Sequence, residues 1–66
     1  MDEKTVKMVA EAYDETMAEA IGQGRPAATA HTEALTAAAM FLSAITGIDD
    51  SVARAQVDSI GLSYQQ

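Results

Sequence analysis

The sequence predicts an all-α fold: an antiparallel helical hairpin followed by a short third helix. Apolar residues recur at helical spacing, glycines interrupt that pattern at three places, and the single proline lies between the first two helical segments. We predict helices over residues 2–21, 26–46 and 50–60 of one domain. We also expect two copies of the chain to associate into a dimeric helical bundle.

The first predicted helix is amphipathic. Seven apolar residues share one face: Val6, Val9, Ala10, Tyr13, Met17, Ala20 and Ile21. The opposite face carries Lys4 together with Glu11, Glu15 and Glu19, and the three glutamates repeat at four-residue spacing. Carboxylates that hold di-iron in helical bundles come with inward-facing Glu-x-x-His motifs, and the chain has none. We therefore interpret the row as a solvated acidic face.

The second predicted helix is poor in charge. Between Arg25 and Asp49 the one charged residue is Glu33. A helix that avoids charge nearly all round is usually buried on more than one side, so this helix is expected to be central. The short link of residues 22–26 predicts an antiparallel hairpin. Its register places large residues opposite small ones: Met17 near Ala30, Tyr13 near Ala34 and Val9 near Ala38.

Residues suited to helix caps stand at the ends of the predicted helices. Gly22, Gly47 and Gly61 are expected to close the three helices in the left-handed conformation. Asp49 and Asp50 are expected to cap the start of the third helix, where a carboxylate also complements the helix dipole. The same two aspartates lack the further oxygen ligands of a calcium loop.

Composition excludes several kinds of site. The 66 residues contain no cysteine and one histidine, so disulfides, thiolate zinc sites and histidine-rich metal sites are not expected. The net charge of −6 disfavours binding to nucleic-acid phosphates. No motif indicates catalysis or a cofactor, and we predict that the protein is not an enzyme.

No segment has the pattern of a targeting or membrane sequence. The chain opens with the acidic residues 2 and 3, unlike a signal peptide. The most apolar stretch, residues 34–48, is shorter than the roughly 20 residues that a membrane helix needs. We expect a cytoplasmic protein without membrane association.

His31 is predicted to have a structural role. It projects near the apolar face of the second helix, and no nucleophile and orienting partner accompany it in the sequence. We expect its ring to hydrogen-bond a nearby side chain such as Thr16 or a glutamate.

Residues 44–54 resemble the turn and second helix of a helix-turn-helix motif. A glycine and an apolar residue, Gly47 and Ile48, precede a polar cap, a core valine and Arg54. The resemblance implies a nucleic-acid-binding or adaptor protein. The spacing from glycine to valine is one residue shorter than the usual pattern, and three aspartates accompany the arginine. This reading is the alternative.

The favoured hypothesis is a non-catalytic module that associates with itself and with an unidentified protein. The exposed side of the second helix supplies the predicted interface: Ala37, Met40, Phe41 and Ala44. Met8 and Met40 fit neither core face, and methionine adapts to partner surfaces. A further alternative is a small-ligand protein whose site forms between subunits.

Overall fold

The computed structural model describes residues 1–64 and confirms the all-α class. Within that range the chain forms three helices and no strand. The helices are α1 (Glu3–Gly22), α2 (Ala27–Thr46) and α3 (Asp50–Ile60). The bounds of α3 are those expected from the sequence, and those of α1 and α2 differ from the expected bounds by one residue at most.

Asp2 caps the start of α1. Its extended backbone precedes the helix, and its carboxylate accepts a hydrogen bond of 2.8 Å from the Thr5 N–H. That bond favours the ionised form and lowers the pKa of Asp2 below its ordinary value. We predicted that Asp2 would be the first helical residue, whereas in the structure it is the N-cap that precedes the helix.

Gly24, rather than Gly22, closes α1. Gly22 is the last helical residue, and the left-handed glycine is Gly24, with φ of 83°. The Gly24 N–H donates to the Ile21 carbonyl and the Arg25 N–H donates to the Ala20 carbonyl, at 3.0 and 3.1 Å. These two bonds define a Schellman motif. The cap prediction for Gly22 is therefore wrong, because the helix continues until the second glycine can reverse the chain.

α2 lies between a proline and a left-handed glycine. Pro26, which we predicted to be the first helical residue, has an extended ψ of 146° and is the N-cap instead, so the helix begins one position later. At the other end Gly47 has φ of 77°, and its N–H donates to the Ser43 carbonyl at 2.8 Å. The Ser43 hydroxyl donates to the Ile48 carbonyl at 2.7 Å and so ties the following link to the helix.

Asp49 occupies the capping position of α3 without the capping hydrogen bond. Its backbone is extended, but its side chain makes no bond to the helix N-terminus. The predicted capping by the Asp49 side chain is therefore wrong. Asp50 lies within the first turn, where its charge complements the helix dipole. Gly61 ends the helix in the left-handed conformation that the sequence led us to expect.

The core forms where α1 and α3 pack on α2. Its buried residues are Val9, Tyr13, Met17, Ala20, Ala30, Ala34, Ala38, Ala39, Leu42, Ala53 and Val57. All six residues of the predicted large-on-small pairing belong to this set. Half-buried Ile48 and Leu62, which follow the glycines that end α2 and α3, pack against it. Five of the buried residues are alanines of α1 and α2, and the large buried side chains come mainly from α1. Because alanine side chains are small, the backbones of the two helices can pack closely together.

The last turn of α2 leaves one expected core residue in solvent. Ile45 belongs to the apolar arc of the sequence, yet 43% of it is exposed. In the hairpin register that pairs Val9 with Ala38, Ile45 lies opposite Asp2, where α1 has not yet begun. No helical neighbour is therefore available to cover it.

In residues 1–64 no single helix has the length and apolar character needed to cross a membrane. The pair α2 and α3 reaches that length and composition only together, with a bend of 120° between them.

The two glycines at the ends of α1 and α2 provide a matched test of the caps. We expect Gly47→Ala to lower the free energy of unfolding by about 1 kcal/mol, because alanine is strained at positive φ. Gly22→Ala lies in the helix and should raise it by up to about 1 kcal/mol. Neither new methyl group lies within 4 Å of another atom, so a steric clash does not contribute to either change in the free energy of unfolding. Urea unfolding measures both, and equal effects would contradict the assigned caps.

Candidate functional site

The outward side of α2 presents the four residues predicted as an interface. We call Ala37, Met40, Phe41 and Ala44 the outer strip. Met40 is 63% exposed and Ala44 is exposed, while Ala37 and Phe41 are half-buried. Met40 and Phe41 lie about 100° apart around the helix axis, and the two alanines fall between them. The strip is therefore a continuous apolar surface rather than four separate positions.

Two clefts flank the outer strip. On the α1 side, an acidic groove of about 240 Å³ is lined by Met8, Glu11, Ala12, Glu15 and Phe41. On the α3 side, an α2–α3 cleft of about 290 Å³ is lined by Thr36, Ala39, Met40, Asp50 and Arg54. Phe41 of the strip lines the acidic groove, and Met40 of the strip lines the α2–α3 cleft. We treat the outer strip and these two clefts together as the candidate site.

Arg54 connects α3 to α2. Its Nη1 donates to Thr36 Oγ1 at 3.4 Å, and its Nε donates to Asp58 Oδ1 at 3.2 Å in an ion pair. The guanidinium is therefore shared between a helix–helix contact and a carboxylate. α2 and α3 turn through 120° across Gly47, within the range of helix-turn-helix motifs.

A third cleft lies at the hairpin turn. It encloses about 140 Å³ and is lined by Thr16, Glu19, Ala20, Gln23, Arg25 and Glu33. Arg25 Nη1 lies 3.3 Å from Glu33 Oε1, and this ion pair links the turn to α2. The oxygen is itself buried, although the Glu33 side chain is partly exposed. Glu33, the one charged residue of α2, therefore links the helix to the hairpin turn through this ion pair.

His31 bonds to a tyrosine, a partner that sequence reasoning missed. Its Nδ1 lies 2.6 Å from the Tyr13 hydroxyl, and the two rings meet edge to face at 5.6 Å. The Tyr13 hydroxyl donates this hydrogen bond in the histidine tautomer whose Nδ1 is unprotonated. The expected partner Thr16 instead donates to the Ala12 carbonyl. The spacing alone could have indicated Tyr13, since the hairpin register places it within one turn of His31.

The acidic row of α1 makes no internal ion pair. Among residues 1–64, Glu11 and Glu15 have no hydrogen-bonding or ionic partner, and Glu19 accepts a long bond of 3.4 Å from Gln23. No three His, Asp or Glu side chains in the described part of the chain come together as metal ligands. The structure adds the location of this row, which the sequence did not indicate: Glu11 and Glu15 border a groove that is also lined by Met8, Ala12 and Phe41.

Comparison of the chain with protein-family models, with curated proteins and with solved structures finds no significant match.

Tyr13 makes the stability of the fold sensitive to alkali. Burial, with a smaller contribution from nearby Asp14, raises the pKa of Tyr13 above its ordinary value of 10.0. A folded pKa above the unfolded one means that the stabilisation is fully present below pH 10.0 and is lost as the pH rises through the folded pKa. We expect the melting temperature to fall in that alkaline range.

Tyr13→Phe tests this assignment. The variant should lose about 1 kcal/mol at neutral pH, because His31 loses its partner, and should lack the tyrosine-linked alkaline decline. Tyr64→Phe, which removes the other tyrosine, is the control and should retain the decline. Melting curves by circular dichroism between neutral pH and pH 11 give the comparison. An identical alkaline decline in Tyr13→Phe and the native chain would refute the role of Tyr13.

Proposed function

We propose that this protein is a non-catalytic helical module whose outer strip associates with a second copy of the chain. The supporting observation is the exposed apolar surface around Met40, on a helix without a charged residue from Ala34 to Thr46. An isolated three-helix domain normally keeps a charged strip toward water on each helix. α1 has such a strip and α2 does not.

The small core gives association an energetic reason. A chain of 66 residues buries a limited share of its surface, and this one buries alanine at six of its eleven core positions. Neither disulfides nor thiolate metal sites can reinforce it, since the sequence contains no cysteine. Binding of a second copy to the folded state alone adds stability by mass action.

A two-fold arrangement suits the outer strip. Packing α2 against its symmetry mate would place two hairpins together as a four-helix core, and two-fold dimers are the commonest oligomers. Alanines at positions 37 and 44 would let the two α2 backbones approach, while Met40 would pack against the outer strip of the partner. The α2–α3 cleft of about 290 Å³ could become a closed ligand site only across such an interface.

A helix-turn-helix adaptor is the second candidate. The turn of 120° between α2 and α3 favours it. Charge opposes nucleic-acid binding, because Arg54 is the one cation of α3 and already pairs with Asp58. Specific DNA binders use several Lys or Arg contacts to phosphate.

Self-association can be tested with a matched pair of alanine variants. We expect the native chain to elute with the mass of a dimer in light scattering coupled to size exclusion at micromolar concentration. Ala44→Glu should shift it to the monomer mass, because the new charge would be buried in the interface. Ala55→Glu makes the same change at an exposed position of α3 and should leave the dimer intact. A monomeric native chain with a concentration-independent melting temperature would refute the proposal.

Nucleic-acid binding separates the two candidates. At ~150 mM salt we expect no sequence-selective binding of DNA or RNA, because the net charge is −6 and α3 begins with Asp50. Fluorescence anisotropy with a randomised duplex pool and a single-stranded RNA pool gives the readout. Sub-micromolar, sequence-selective binding that Arg54→Ala abolishes would favour the helix-turn-helix candidate instead.

A further inference from the structure

The acidic groove between α1 and α2 combines an apolar floor with a negatively charged rim. Half-buried Met8, Ala12 and Phe41 form the floor, while exposed Glu11 and Glu15 stand at the edge on α1. The volume of about 240 Å³ has room for a large apolar side chain. Methionine reshapes readily around an inserted group, which suits such a floor to a partner's side chain.

The carboxylates at the rim of this groove form no ion pair among residues 1–64. From Met8 to Gly24 the sequence contains no lysine or arginine. The two arginines of the chain pair elsewhere, Arg25 with Glu33 and Arg54 with Asp58. In the described residues neither Glu11 nor Glu15 has a hydrogen-bonding or ionic partner.

The rim also works against the helix that carries it. Glu11, Glu15 and Glu19 repeat at four-residue spacing on α1, and like charges at that spacing repel and destabilise a helix. A cationic partner lying along the groove would remove that repulsion. The same partner would cover the exposed edges of Met8 and Phe41.

We propose that the acidic groove binds an amphipathic helix that carries lysine or arginine beside a large apolar anchor residue. The anchor enters between Met8 and Phe41, and the cations lie against Glu11 and Glu15. The apolar floor would bind the anchor residue by hydrophobic contact. The acidic rim would orient the partner helix and raise its association rate. This function is additional to self-association and does not depend on it.

A second copy of the chain is a poorer occupant of this groove. Its own α1 is acidic along the same length, and both of its arginines already take part in ion pairs. Only Lys4 and Lys7, near the start of α1, remain as cations. Charge complementarity therefore selects a basic partner.

A synthetic peptide can serve as the probe. We choose a fluorescent 16-residue helix with leucine at positions i, i+3, i+4 and i+7 and lysine on the flanking positions, titrated with the full chain and followed by anisotropy. A control peptide carries glutamate in place of each lysine. We expect the lysine peptide to bind at least about tenfold more tightly, with an affinity that falls as salt rises.

Neighbouring acidic residues on α1 distinguish the groove from general attraction to an acidic protein. Glu15→Lys should weaken binding of the lysine peptide about fivefold or more, whereas Asp14→Lys, which changes net charge equally outside the groove, should weaken it less than about twofold. Met8→Gln should weaken it, while Met40→Gln, in the other cleft, should not. Circular dichroism checks that each variant folds.

Equal losses from Asp14→Lys and Glu15→Lys would overturn the proposal, as would the absence of binding to the lysine peptide. The same titration on Ala44→Glu separates this proposal from self-association. Binding retained in that variant supports an independent groove, and binding lost with the variant folded would show that the site is not independent of the outer strip. A native chain that is monomeric and still binds the peptide would refute self-association alone.

Discussion

Close packing of an alanine-rich helix is the constraint on which the rest of the structure depends. α2 buries Ala30, Ala34 and Ala38, and the register of the hairpin sets Met17, Tyr13 and Val9 of α1 against them. Small residues on one helix and large ones on the other allow the backbones to approach without leaving voids. Ala39 and Leu42 then remain for the side that meets α3.

The same packing determines what is left for function. A helix with two neighbours cannot bury its whole circumference, and the uncovered arc of α2 carries Met40 and Ala44 rather than charged residues. The charges of the chain are concentrated elsewhere, mainly on the outer face of α1. The molecule therefore has an uncharged surface beside an acidic one, with Phe41 at their border. The proposed self-association and the proposed binding of a basic helix would therefore use adjacent surfaces.

Most of the fold could be predicted because its signals are local. Helical periodicity and the positions of glycine and proline specify the elements and the short turns that connect them. The errors also have local causes. We expected Gly22 to take the left-handed conformation, but the turn contains a second glycine. Gly24 takes that conformation instead, and the Arg25 N–H then reaches the Ala20 carbonyl. Asp49 has the right residue type for a cap, but its side chain does not turn back to the helix.

The sequence by itself determined the helices, the hairpin and the apolar character of α2, since these follow from the periodicity of a single chain. Only the tertiary structure decided which side chains meet. The Tyr13–His31 bond, the Arg54–Thr36 contact and the groove between Met8 and Phe41 each join residues at least 18 positions apart. Such contacts depend on helix rotation and interhelical angle, which arise from the volumes of all packed side chains together rather than from any local pattern.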